Sequence, residues 1–252
     1  MVDPRRALRI FGLEPGKNFS SKVVYIYKKQ LEEAQIILMN KVETLEPGQQ
    51  EALQQKLEET YPNATVIPCS SRSGDGLDAW FDQVSNTEMT FGETMSIDYT
   101  TYGEGEAELG WLNAAIQLHA SDWIDGNALL KQLADQMQAA LSVNDLEIAH
   151  LKMTLAPEDE TGGLAIINLV GSEFDAEASQ QLMDDVERGE IILNIRAEAP
   201  PEALEAVVRQ AVAACSNAPD TQLELEHLER FAPAPPEPVY REGPDSLEEA
   251  GK

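Results

Sequence analysis

Residues 36–43 read IILMNKVE, and residues 64–76 read ATVIPCSSRSGDG. Each begins as a short apolar run and ends abruptly in polar residues, the pattern of a strand buried on both faces. Between them, Pro47-Gly48 breaks the chain and QQEALQQKLEETY (49–61) follows, a helix with Ala52, Leu53 and Leu57 as its apolar positions. After the second run, GLDAWFDQV (76–84) predicts a short helix. Upstream, Ser20 or Ser21 is placed to cap a helix through SKVVYIYKKQLEEA, although the run Val23-Val24-Tyr25-Ile26 favours a strand, and both readings stay open. Strand, helix, strand, helix with buried strands implies part of a parallel α/β sheet over residues 1–95. Parallel neighbours joined by one helix put both polar loops on the same sheet edge.

Residues 96–231 change rhythm. LGWLNAAIQLHA (109–120) reads as a strand. GNALLKQLADQMQAALS (126–142) reads as a helix with Leu129, Leu130, Leu133, Met137 and Leu141 on one face. IAHLKMTLA (148–156), GLAIINLVG (163–171) and IILNIRAEA (191–199) predict three strands, with a turn at Gly162-Gly163. AEASQQLMDDV (176–186) predicts a short helix before the third. PPEALEAVVRQAVAACS (200–216) predicts a helix entered through two prolines, and TQLELEHLERF (221–231) a final strand. The order β-α-β-β-β-α-β implies an α+β, ferredoxin-like sandwich with one extra strand. Residues 232–252 carry Pro233, Pro235, Pro236, Pro238 and Pro244, which predict an extended arm and a disordered acidic tail.

The 252 residues hold 18 Lys and Arg against 45 Asp and Glu, a formal net charge of −27. That field disfavours free binding to nucleic acid or acidic membrane. No apolar run reaches the roughly 18 residues of a membrane span, and no signal-peptide pattern opens the sequence. Two cysteines, Cys69 and Cys215, do not make a disulfide framework and fit a reducing, cytoplasmic setting. Each reads as a small buried apolar residue.

Asn40-Lys41-Val42-Glu43 stands where the first apolar run ends. Guanine presents N1–H and N2–H₂ as adjacent donors, and one carboxylate accepts both. An Asn amide suits the N7 and O6 side, and a Lys stem packs along a ring. Alone the pattern is weak, since a helix-capping turn explains it as well. The second loop, Cys69 through Gly76, adds backbone N–H groups able to donate to guanine O6 and so reject adenine. Sheet edges at the C-terminal ends of parallel strands are where such folds bind ligands.

These loops, with Val2-Asp3-Pro4-Arg5 ahead of them and GDGLDAW behind, resemble the CobW-like GTPases, relatives of the HypB and UreG maturation GTPases in the SIMIBI class of P-loop proteins. Glu104 to Asn113 (EGEAELGWLN) is similar to the start of the C-terminal domain in cobalamin-synthesis-type members. Phe231-Ala232-Pro233 with Pro235, Pro236, Pro238 and Arg241 is similar to their closing motif. The resemblance runs to about residue 241. It implies that Asn40, Lys41 and Glu43 recognise guanine and that Ser70, Ser71 and Arg72 form the second base-contacting loop. Glu43 stands in place of the family's Asp, Ser71 where Ala is common, and Arg72 where Lys is common. It further implies GTP as ligand, delivery of a metal such as zinc or cobalt, or of a corrinoid, and a metalloprotein or corrinoid-protein client.

The sequence departs from that family by what it lacks. No Gly-x-x-x-x-Gly-Lys-Ser/Thr cradles phosphate, the Mg²⁺-holding acid is missing, and so is the family's Cys-x-Cys-Cys metal motif. The chain therefore reads as the C-terminal part of such a protein, retaining guanine-recognition loops without phosphate-binding or hydrolytic elements. By itself it is expected not to hydrolyse GTP. The P-loop half would come from the same chain or in trans, to cover an exposed sheet edge. The alternative is a non-catalytic acidic interaction module. His119, His150 and His227 are too dispersed to read as a dedicated metal site. Glu104, Glu106 and Glu108 would share one face if they lay on a strand, and otherwise read as a solvated entry to the second domain.

Overall fold

A computed structural model describes residues 1–86, 98–158, 163–216 and 221–234. The described chain divides into two compact units, Met1–Gly105 and Glu106–Ala234. No helix among the described residues is long and apolar enough to cross a membrane.

The first unit holds α1 (Pro4–Ile10), α2 (Ser21–Glu32), β1 (Ile36–Met39), α3 (Gln49–Thr60), β2 (Thr65–Pro68) and α4 (Leu77–Asn86). Asp3 caps α1, accepting from the Arg6 N–H, and Pro4 sits at the first turn, where a missing N–H costs nothing. Ser20 caps α2 by accepting from the Val23 N–H at 3.4 Å. The cap and the burial of Val23 and Ile26 settle this segment as helix despite its β-branched run. β1 and β2 pair in parallel with Ile36 opposite Thr65 and Met39 opposite Pro68. On the other side of β1, Val2 makes a parallel bridge with Met39. Ile37 and Met39 point into a core with Ala7, Leu8, Leu53 and Leu57. Leu38 and Ile67 turn the other way, against Leu77 and Trp80 of α4. α4 itself buries no residue, and Phe81 and Val84 on its apolar stripe are exposed.

A further helix, α5 (Tyr99–Glu108), carries Glu104, Glu106 and Glu108. The three acids therefore sit on a helix, and the one-face arrangement that a strand would give does not occur. Gly105 permits close helix packing: a Cβ there would stand 3.0 Å from the Lys22 carbonyl oxygen and 2.7 Å from Ile26 Cδ1.

The second unit holds β3 (Leu109–Ile124), α6 (Gly126–Val143), β4 (Glu147–Pro157), β5 (Ala165–Leu169), β6 (Glu177–Gln180), β7 (Val186–Glu198), α7 (Pro201–Cys215) and β8 (Thr221–Phe231). Its strands form one antiparallel sheet in the order β6-β5-β4-β7-β3-β8. α6 and α7 cover one face, where Leu130, Leu133, Met137, Val208 and Ala211 pack on Leu112, Ile116, Ile191, Leu193 and Ile195. The helix expected over AEASQQLMDDV is absent. Glu177–Gln180 form the edge strand β6, and the β7 strand starts at Val186, before the expected Ile191. Pairing of Ile167 with Ala178 and Asn168 with Glu177 satisfies the backbone there, overriding the local helical preference. The chain order thus has two strands, β5 and β6, between β4 and β7. Gly162 of the expected turn, and residues 235–252 of the expected arm and tail, lie outside the described residues.

Candidate functional site

The site is built where β1 and β2 end side by side. The Cys69 N–H donates to the Met39 carbonyl at 2.9 Å, and the Val42 N–H donates back to the Cys69 carbonyl at 3.3 Å. The parallel ladder thus runs one step past the strands and fixes the two loops against each other.

Asn40 is 8% exposed and its side chain joins the loops. Its Oδ1 accepts from the Ser71 N–H at 2.9 Å, and its Nδ2 donates to Ser71 Oγ at 3.2 Å. The sequence assigned this amide to the N7 and O6 side of a base. In the structure the amide bonds Ser71 through one Nδ2 hydrogen and through Oδ1, and so positions the second loop. Lys41 adopts the left-handed conformation, φ 64° and ψ 35°, at a cost of about 1 kcal/mol for a non-glycine residue. The Thr44 N–H and Oγ both donate to the Lys41 carbonyl, at 3.0 and 2.8 Å, and hold that turn. Lys41 Nζ lies 3.5 Å from Asp3 Oδ2. Glu43 is exposed on the short 3₁₀ turn Val42–Thr44.

In the second loop Ser70 is buried, its Oγ accepting from the Ser73 N–H at 3.2 Å and its N–H donating to the Asp75 carbonyl at 2.9 Å. Ser70 is therefore a turn-former. Ser71 and Arg72 are exposed at the rim. The turn closes through Gly76, whose φ is +74° and where a Cβ would fall 2.2 Å from the Pro68 carbonyl oxygen. Burial first, and the Glu43 carboxylate second, push the Cys69 thiol above its ordinary range. A buried thiol held in its neutral form is a poor nucleophile.

The structure brings Asn40, Lys41, Glu43, Ser70, Ser71 and Arg72 to one sheet edge. It divides them into buried residues that build the loops (Asn40, Ser70) and half-buried or exposed residues at the edge (Lys41, Glu43, Ser71, Arg72). Asp3 joins them through Lys41. In the sequence Asp3 stands out only within the Val2-Asp3-Pro4-Arg5 segment of the family resemblance, and nothing in the spacing of residues 3 and 41 announces their ion pair. Among the described residues no group of three or more His, Cys, Asp or Glu gathers to hold a metal ion. His150 is engaged with Asn194, its Nε2 lying 2.6 Å from Asn194 Oδ1.

Neither a protein-family profile nor a curated protein sequence matches the chain. Among solved structures it is similar to the Zn(II)-bound YjiA GTPase from E. coli at 14% identity and a TM-score of 0.27, covering 83% of this chain. A Zn(II)-bound triple mutant of YjiA GTPase gives 12% identity and a TM-score of 0.28 over 85% of this chain. The chain spans 59% of the length of each. Scores this low do not transfer a fold or a site.

Proposed function

We propose that the first unit is the base-recognition part of a guanine-nucleotide-binding domain of the CobW-like kind, and that the second is its accessory domain. The observation that carries this reading is the pair of hydrogen bonds between Asn40 and Ser71. They lock an Asn-Lys-x-acid turn to a Ser-rich turn at the C-terminal edge of two parallel strands. That edge is where α/β sheets take ligands. Glu43 supplies the exposed carboxylate for two adjacent donors on a base, and the Ser71–Arg72 rim supplies the second wall. The spatial order β4-β7-β3-β8, with a helix in each crossover, supports the ferredoxin-like reading of the second unit, with β5 and β6 as additions.

No Gly-x-x-x-x-Gly-Lys-Ser/Thr phosphate loop occurs in these 252 residues, so on this reading the phosphate contacts would be supplied by another segment or a partner chain. The residues here select a base and perform no hydrolysis. Delivery of a metal or a corrinoid to a client protein is the wider role that the family resemblance implies. Competition between GDP and ADP for a fluorescent guanine nucleotide tests the reading. With base and ribose contacts alone, GDP should bind with a dissociation constant on the order of 0.1–1 mM, at least about tenfold tighter than ADP. Glu43→Ala should erase the preference. Equal weak binding of both nucleotides by the unaltered chain would overturn the proposal.

A further inference from the structure

We propose that Asp3 is a positioning residue for the base edge: its carboxylate holds the Lys41 ammonium and so fixes the lysine stem against which a base ring packs. The inference rests on the guanine reading and adds to it a residue from the other side of β1. Val2 is hydrogen-bonded into that side. Its N–H donates to the Leu38 carbonyl at 2.8 Å, and its carbonyl accepts from the Asn40 N–H at 3.3 Å. Asp3 follows directly, so the backbone sets its side chain beside the turn. The Cys69–Met39 bond does the same for Ser71 on the β2 side.

Asn40 and Lys41 are neighbours in the chain, yet their side chains reach opposite ways. Asn40 bonds Ser71, whereas Lys41 Nζ lies 3.5 Å from Asp3 Oδ2. The left-handed conformation of Lys41, held by the two bonds from Thr44, is the backbone that parts them. The two oxygens of Asp3 have separate tasks. Oδ1 accepts from the Arg6 N–H at 3.3 Å and caps α1; Oδ2 meets the ammonium. The cap needs no charge, since Asn caps a helix as well as Asp does. The ammonium does need one. The side chains of Lys41 and Asp3 are 32% and 21% exposed, so the pair is partly sheltered and still feels salt.

A lysine stem offers apolar contact along a ring. Guanine and adenine both present such a ring, so this contact sets affinity, while the choice between them stays with Glu43. A lysine free to rotate must be ordered when the base arrives, which weakens binding by up to about 30-fold. Asp3 orders it beforehand.

Titrating the full chain with guanosine and with adenosine, followed by backbone amide resonances, tests this. Asp3→Asn keeps the cap and removes the charge. It should weaken both nucleosides by about five- to tenfold and leave the guanine preference unchanged. Lys41→Met keeps a straight apolar stem with no ammonium to hold. In that background Asp3→Asn should change the affinity less than about twofold. Salt supplies a readout that a helix cap would not move. Guanosine is uncharged, so raising the salt from about 20 to 500 mM should weaken its binding to the unaltered chain about threefold and leave Asp3→Asn unaffected. Guanosine affinity unchanged in Asp3→Asn would overturn the proposal. So would a loss that persists in the Lys41→Met background, or the same salt response in both chains. An unaltered chain that binds guanosine no better than adenosine would overturn the guanine reading, and this inference with it.

Discussion

Replacing Asn40 by alanine removes a side chain that bonds the two loops twice. The Ser71 N–H loses its acceptor at 2.9 Å and Ser71 Oγ loses a donor at 3.2 Å. Each such bond contributes about 1 kcal/mol net. Ser71 is exposed, so its freed N–H finds water and adds no further penalty. The expected loss is therefore about 2 kcal/mol, confined to the loop, because the Cys69–Met39 and Val42–Cys69 backbone bonds remain. Hydrogen exchange reads this directly: the Ser71 amide should exchange about 30-fold faster in Asn40→Ala. Asn40→Asp keeps an acceptor for the Ser71 N–H, strengthened by charge, and should retain most of the protection. If Asn40→Ala leaves Ser71 exchange within about threefold of the unaltered chain, Asn40 does not couple the loops and the site as described is wrong.

Three other outcomes follow from the packing. Gly76→Ala drives a Cβ to 2.2 Å from the Pro68 carbonyl oxygen and should cost more than about 2 kcal/mol in urea unfolding. Gly74→Ala, with φ +90° and open space around its Cβ, should cost only about 1 kcal/mol. Burial pushes up the Cys69 and Cys215 thiols and raises the Tyr61 hydroxyl to about 12, with the nearby Glu32 carboxylate adding to the latter. These groups stay protonated in the folded chain while the unfolded chain releases its protons, so stability is complete below about pH 8.5 and falls above it. The Tyr61 shift by itself corresponds to a loss of about 2 kcal/mol between pH 9 and 11.5, read from the urea midpoint; a flat profile would contradict the burial of that hydroxyl. Leu133→Ala, at a fully buried position of α6, should cost about 2–5 kcal/mol, and a loss under 1 kcal/mol would mean that α6 does not pack on the sheet as described.

The sequence made most elements legible where a single physical cause dominated. β1 and β2 were visible as apolar runs too short for helices and cut off by polar loops. α3, α6 and α7 were visible through periodic leucines, valines and alanines. β6 was not, because Glu-Ala-Ser-Gln carries no strand signal and its conformation comes from pairing with β5. α5 was obscured by Gly103 and Gly105, which argue against a helix unless a neighbour comes close enough to use the second. The loops of the candidate site were legible by residue type and order. The division of labour within them was not: Asn40 reaches Ser71, 31 residues away, because Met39 is aligned with Pro68, and that register belongs to the folded sheet. Asp3 was hidden for the same reason, being brought to Lys41 by the Val2–Met39 bridge.

The central claim is that the edge formed by Asn40–Glu43 and Ser70–Arg72 receives a guanine base. Titrating the isotopically labelled full chain with guanosine and following backbone amide resonances tests it most directly. The account predicts shifts concentrated at residues 40–43 and 70–73, saturating with guanosine, weaker with adenosine and lost in Glu43→Ala. Shifts scattered over the second unit, or the same response to adenosine as to guanosine, would contradict it.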